Sequence, residues 1–374
     1  MAPPDSRKEP REQNRPRHRR RGPPRRRRHR AELALTGGRE RILGDDRPAC
    51  LVLQALGLGD LVVAVPALRA LRRALGGHRI VLAGSPALLG AARTWDLVDE
   101  AVPTVPWEPP AGVEVPDVAV NLHGHGPQSI DLLAALGPRL LVTFGDPGQA
   151  GPGRVVLPWA APDLPYAGEH QAERWLRLVR AGVGADRRPG DSVIVAPGTA
   201  GEPEVPAGAV VLHPGAASGA RRWPGRQFSE VAAVLGDRGV DVVVTAGPGE
   251  ERLAEAVVFG AVSRRVRAWA PASVVDLSAG LARASAVVVG DTGVGHLAAA
   301  LRVPAVHLYG PSDPAEWGPF DDRAHRRVLH PVLYGDPTDP HARATHPALL
   351  RITPDDVLTA LDDLLGPALV PAPG

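Results

Sequence analysis

The stretch Leu51-Val-Leu-Gln-Ala-Leu-Gly57-Leu-Gly59-Asp60, continued by Leu61-Val-Val-Ala-Val-Pro66-Ala-Leu68-Arg-Ala-Leu71, decides the fold. Cys50–Ala55 is an unbroken apolar run of the kind a parallel strand shows when both its faces are buried. Gly57 and Gly59 make a turn. Leu61, Val65, Leu68, Leu71 and Leu75 then recur at helical spacing, which predicts a helix over Leu61–Leu75. Strand, glycine turn and helix form the repeating unit of a doubly wound sheet. The dinucleotide fingerprint asks for a third glycine at position 62, where this chain has Val62, so a nicotinamide cofactor is not indicated.

The same alternation extends in both directions. Strands are expected at Arg79–Ala83, Val118–Leu122 and Leu140–Phe144, with helices at Ile130–Leu136 and Glu169–Ala181. A Gly/Pro-rich stretch, residues 185–208, reads as a linker between a first domain over 48–184 and a second over 209–350. In the second domain, strands are expected at Ala209–His213, Val240–Thr245, Ala286–Val289 and Ala305–Leu308. Helices are expected at Gly225–Arg238, Glu250–Phe259, Val274–Ala284 and Gly293–Leu301. Within 351–374 lies a last helix, Pro354–Leu365, with Thr353 as N-cap and Pro354 in its first turn. Helices between strands imply parallel sheets with right-handed crossovers. The expectation is an α/β chain of two Rossmann-like domains facing a cleft.

Composition separates this body from its N-terminus. Residues 1–30 hold Lys8 and twelve Arg against Asp5, Glu9 and Glu12, a charge of +10, so the rest carries −8 within a total of +2. Residues 1–47 have almost no apolar periodicity and read as a disordered basic tail. The sharper reading of its basic residues, 7–30, is peripheral contact with an anionic membrane, with nucleic acid the less expected partner. No apolar run reaches the ~20 residues of a bilayer span, and Met1 opens no signal peptide, so the expected location is cytoplasmic or at the inner membrane face. Cys50 is the sole cysteine, which excludes an internal disulfide and any cysteine-held metal cluster.

Three motifs lie where strands end and helices begin, the ligand-binding edge of such sheets. Asp60 follows the first glycine turn, where it can cap the helix or act as a general base on a hydroxyl. Val211-Leu-His213-Pro-Gly215-Ala-Ala-Ser-Gly-Ala-Arg221-Arg222-Trp223-Pro224 is a strand and a small-residue loop. Its backbone N–H groups and two arginines suit an anion. Val287-Val-Val-Gly290-Asp291-Thr292-Gly293-Val-Gly295-His296 delivers Asp291 and Thr292 to a helix N-terminus, with His296 on the first turn. Between them, Glu250 in Gly247-Pro-Gly249-Glu250 suits ribose hydroxyls. His123 and His125 end a strand of the first domain and are candidates for acceptor contact. Two histidines without a carboxylate make a poor metal site. The acidic doublets Asp45-Asp46, Asp321-Asp322, Asp355-Asp356 and Asp362-Asp363 read as solvated faces.

These motifs carry a resemblance. Gly59-Asp60 with Pro66-Ala-Leu-Arg69, His213-Pro-Gly215 with Arg221-Arg-Trp-Pro224, and Gly290-Asp-Thr-Gly293 with His296-Leu-Ala-Ala-Ala300 and Tyr309-Gly-Pro-Ser-Asp-Pro314 occur in this order. The chain so resembles the heptosyltransferase family, glycosyltransferase family 9, over about residues 49–365. The resemblance implies the two-domain GT-B architecture and an inverting reaction without a metal or other cofactor. It implies a nucleotide-sugar donor, ADP-heptose in the family, and a glycolipid or glycan acceptor, the lipopolysaccharide inner core in the family. Asp60 matches the catalytic base. Arg221 stands where the family usually has a donor-phosphate lysine, with Arg222 as its basic neighbour. Glu250 matches the ribose acid. Asp291, Thr292, Gly293 and His296 match the loop holding the donor's sugar and diphosphate. Arginine at 221 keeps the charge but changes its geometry to a planar fork. The segment Gly335–Pro347 resembles one in which many members carry cysteines, and here there are none.

The expected activity is therefore glycosyl transfer from a nucleoside diphosphate to a hydroxyl. Two alternatives stand beside it. One is a nucleotide-sugar epimerase of the same architecture, which needs further acids or bases around the donor sugar. The other is a non-catalytic sugar-nucleotide-binding protein, which would retain the nucleotide and release none.

Overall fold

Parallel pairing organises the chain. In this computed structural model, residues 46–366 are described, apart from 105–107, 109, 111–112, 114, 162–167, 199–202 and 322–324. The basic stretch 7–30, and Asp45 and Asp322 of the acidic doublets, lie outside the described residues. The first half runs β1 (Ala49–Gln54), α1 (Leu58–Ala74), β2 (Arg79–Gly84), α2 (Pro86–Thr94), β3 (Glu100–Pro103), β4 (Val118–Asn121), α3 (Pro127–Ala135), β5 (Leu140–Phe144), β6 (Arg154–Leu157) and α4 (Gln171–Val183). Its six strands lie in the order β3-β2-β1-β4-β5-β6.

The second half repeats the plan with β7 (Val210–His213), α5 (Gly225–Asp237), β8 (Val242–Thr245), α6 (Glu251–Ala261), β9 (Val266–Trp269), α7 (Val274–Leu281), β10 (Ala286–Gly290), α8 (Gly293–Ala300), β11 (Ala305–Leu308), α9 (Pro314–Trp317) and β12 (Arg326–Leu329). Its order is β12-β11-β10-β7-β8-β9. Two short helices, α10 (Pro347–Arg351) and α11 (Pro354–Leu365), close the described chain, the second capped by a reciprocal Thr353–Asp356 box. Every named strand pair is parallel. In each sheet the winding reverses once, between β1 and β4 and between β7 and β10. Crevices open at the carboxyl ends of strands at such switch points.

The four strands that the apolar runs do not foretell, β3, β6, β9 and β12, are the four sheet edges. An edge strand is buried on fewer sides and need not be continuously apolar. Arg326-Arg-Val-Leu329 and Val266-Arg-Ala-Trp269 accordingly mix arginine with apolar residues. Helix α1 also starts three residues before the expected Leu61. Asp60 thus lies inside its first turn, and Pro66 lies within the helix without ending it.

Side-chain parity divides each central strand between two layers. Leu51 and Leu53 of β1 pack towards α3, whereas Cys50 and Val52 belong to a core shared with α1, α4, and Val287 and Val289 of β10. This core runs continuously from one half into the other, through α1 against α8 and α2 against α7. The connecting stretch is clasped to α1. Arg69 donates to the carbonyls of Gly190, Asp191 and Val193, and Arg73 pairs with the Asp191 carboxylate at 2.6 Å. The Ile194 N–H reaches the Ala300 carbonyl at the end of α8, at 2.8 Å.

Where α1 and α8 begin, backbone meets backbone. A Cβ on Gly293 would lie 2.7 Å from the Leu58 Cβ and 2.8 Å from the Gly59 nitrogen, and one on Gly59 would lie 3.0 Å from the His296 ring. Gly293→Ala should therefore cost about 1–3 kcal/mol of stability through overpacking. A urea-unfolding midpoint equal to that of the unsubstituted chain would show that the two helix ends part freely.

Candidate functional site

The two switch points face each other across this glycine contact. From the first half comes Asp60, half-buried in the first turn of α1. Gly57 is the N-cap of α1 and offers no side chain to do the capping. The Asp60 carboxylate lies beside the turn at Gly57, where a Cβ would stand 3.6 Å from its Oδ2. Burial nevertheless pushes its carboxyl above the ordinary 3.8. The Gly57 and Asp60 N–H groups and the Arg221 charge oppose that rise, and Asp291 adds to it. Asp60 so combines a capping contact with an electrostatic reach into the second half. A carboxylate made more basic by desolvation, at a cleft, is suited to proton abstraction.

From the second half come the loops after β7 and β10. Arg221 lies at the end of the small-residue loop, where its Nε donates to the Ser218 hydroxyl at 3.3 Å and its NH1 to Asp291 Oδ2 at 3.4 Å. Asp291 is buried, and its Oδ2 also accepts from the Ser312 hydroxyl at 2.5 Å. Arg222 points the other way. Its guanidinium donates twice to the Ala216 carbonyl and lies 3.8 Å from Glu250.

Glu250 accepts from the Gly247 N–H at 3.0 Å and lies 3.9 Å from His213 Nε2. A Cβ on Gly215 would fall 1.9 Å from this carboxylate, so only glycine admits it there. The His213 ring is buried against the Thr245 hydroxyl, and burial holds it below its ordinary 6.5, in the neutral form. Thr292 is the N-cap residue of α8, but its hydroxyl makes no cap bond and is a buried oxygen with no protein partner. His296 is buried and likewise held neutral. One cleft thus gathers a basic carboxylate, two arginines, two helix N-termini and an unpartnered threonine hydroxyl. That set can neutralise and position a polyanion beside a group able to take a proton.

Residues 152–331 match the family model described as glycosyltransferase family 9 (heptosyltransferase). Residues 152–331 of this chain therefore resemble a glycosyltransferase family 9 domain. It is 37% identical over 164 residues to lipopolysaccharide heptosyltransferase 2 of Escherichia coli strain K12, an alignment covering 41% of this chain and 45% of that protein. The chain therefore matches less than half the length of that curated relative. The solved structure of E. coli ADP-heptose lipopolysaccharide heptosyltransferase II superposes with a TM-score of 0.66 at 21% identity, over 85% of this chain and 98% of the other. A family 9 glycosyltransferase from Veillonella parvula gives 0.66 at 18% identity, over 86% and 98%. These likenesses establish the fold, two parallel sheets of GT-B type.

The matched stretch holds Arg221, Arg222, Glu250, Asp291, Thr292, Gly293 and His296. Asp60, His123 and His125 lie outside it. The two histidines do not act as a pair. His123 Nδ1 accepts from the Ala55 N–H at 3.2 Å and its own N–H is held by Asn121, so this ring braces the loop before α1. His125 is exposed and packs on Trp159, ring centres 4.5 Å apart. The doublets serve structure where they are described: Asp321 pairs with Arg187, Asp356 completes the α11 cap, and Asp362 pairs with Arg238. Ser312 is the site residue that sequence reasoning quoted without giving it a role. Its signal was its place in the Tyr309–Pro314 motif, and its partner lies 21 residues earlier.

The Asp60 carboxyl should titrate above 3.8 in carbon NMR of the carboxyl groups. Arg221→Gln removes a lowering charge and should move that titration up; Asp291→Asn removes a raising one and should move it down. Shifts of the opposite sign would detach Asp60 from the second-half cluster.

Proposed function

We propose that this protein transfers a sugar, heptose or a close relative, from a nucleoside-diphosphate donor, ADP-heptose by analogy with its relatives, to a hydroxyl of an envelope glycolipid or glycan. The observation that carries this reading is the close approach of the first turn of α1, which holds Asp60, to the first turn of α8, which follows Asp291 and Thr292. The loops after β7, β8 and β10 hold the donor, with Glu250 at the ribose and Arg221, Thr292 and the α8 N-terminus at the diphosphate. Asp60 takes the proton from the acceptor hydroxyl. The oxygen attacks the anomeric carbon from the face opposite the diphosphate, and the carbon–oxygen bond to the phosphate breaks. Inversion follows from this direct displacement. The electron pair leaves on the diphosphate, whose growing charge meets preorganised cations and N–H groups. The lipopolysaccharide heptosyltransferases among the relatives support the choice of donor and acceptor class.

Among the described residues no helix is long and apolar enough to cross a membrane. An acceptor held in a bilayer would then be met from the cytoplasmic side, with the basic residues 7–30 supplying attraction to anionic lipid.

Asp60→Asn should lower transfer from ADP-heptose to a lipopolysaccharide-core acceptor by about 10²–10⁴-fold while leaving ADP affinity within a small factor. A variant keeping most of its turnover would return Asp60 to its capping role alone. The diphosphate is assigned here to arginines and helix ends, so transfer should also proceed at the same rate in excess EDTA. Loss on chelation with recovery on adding Mg²⁺ would require a cation in the step.

A further inference from the structure

Arg221 is held more loosely than Arg73 or Arg351. Arg73 meets Asp191 at 2.6 Å and Arg351 meets Asp336 at 2.6 Å and 2.8 Å, distances of tight charge-assisted bonds. Arg221 makes two long contacts, 3.3 Å to a serine hydroxyl and 3.4 Å to Asp291, the latter through one nitrogen only. The carboxylate beside it is nevertheless buried, with 7% of the side chain exposed, and an arginine fork in that place would ordinarily close on it through two parallel bonds. What occupies the carboxylate is Ser312. Its hydroxyl donates to Oδ2 at 2.5 Å, at the short end of the range for a hydroxyl on a carboxylate.

The turn that carries the serine is braced by its neighbours. A Cβ on Gly310 would lie 2.9 Å from the Ala220 carbonyl, which presses this loop onto the residue preceding Arg221. Asp313 caps α9 by accepting from the Ala315 N–H at 2.8 Å, and the Tyr309 hydroxyl donates to the Trp317 carbonyl at 2.8 Å. The hydroxyl of Ser312 is therefore presented by a braced turn and not by a mobile surface loop.

We infer that Ser312 is a positioning residue: by holding Asp291 through Oδ2 it keeps the carboxylate from closing on Arg221, and so leaves the guanidinium free for the donor's diphosphate. This rests on the donor site proposed above. Loss of the hydroxyl lets Asp291 turn and form a close ion pair with Arg221, which cancels the cation the diphosphate needs. A second consequence follows from the pairwise nature of the effect. With no carboxylate at 291, Ser312 has nothing to restrain, and its removal costs nothing further.

The test is a double-substitution cycle read by calorimetric titration of ADP, AMP and adenosine into the full chain. Ser312→Ala should weaken ADP roughly tenfold or more, AMP less and adenosine not at all. Ser312→Thr, which keeps the hydroxyl, should bind ADP as the unsubstituted chain does. Adding Asp291→Asn to Ser312→Ala should restore ADP affinity to that of Asp291→Asn alone. Undiminished ADP binding in Ser312→Ala overturns the inference, and so does a loss that Asp291→Asn leaves in place, which would mark a local packing defect. The crystal structure of Ser312→Ala gives an independent readout. Arg221 and Asp291 should close to a two-bond pair, and an unchanged separation overturns the inference. If the unsubstituted chain binds no ADP, the donor assignment fails, and the crystallographic distance still decides the role of Ser312.

Discussion

The contact between the first turns of α1 and α8 governs the rest of this architecture. Each helix presents unpaired N–H groups and about half a positive charge at its N-terminus. Bringing two such ends together is electrostatically unfavourable unless negative charge accompanies them. Asp60 and Asp291 supply part of it, one from each half. Steric demand is equally strict, because Leu58, Gly59, Gly293 and His296 approach within side-chain dimensions of each other. A continuous apolar core through α1, α8, α2 and α7 holds the ends in place against their repulsion. The result is a preorganised polar cleft whose dipoles need little reorientation when a polyanion enters.

How much of this was legible in the sequence depends on burial. Central strands such as Val118–Asn121 and Ala286–Gly290 are buried on every side, and a run of valine and alanine discloses them. Edge strands have one neighbour in the sheet and shallow cover. Glu100-Ala-Val-Pro103 reads no differently from a loop until its register with Val81–Gly84 is seen. The helix boundaries shifted for a related reason. The first turn of α1 holds Gly59 and Asp60, which lower the apparent apolar periodicity, yet these are the residues the cleft needs.

The candidate site was legible loop by loop and illegible as a set of pairs. Each motif announces itself by a strand ending in small residues before a helix. That Gly59 opposes Gly293, or that Ser312 bonds to Asp291, is a relation between distant segments and leaves no trace in local composition. His123 and His125 show the converse. Both follow the same strand, yet one ring braces the loop before α1 and the other packs on Trp159.

Helix α1 carries Asp60 in its first turn, while Arg69 and Arg73, farther along the same rod, clasp residues 190–193. At 1.5 Å per residue the two ends of that arrangement lie about 20 Å apart. One helix thus ties the connecting stretch near one end to the cleft carboxylate at the other. Substitutions in that Gly/Pro-rich connector therefore bear on a helix whose first turn forms part of the cleft.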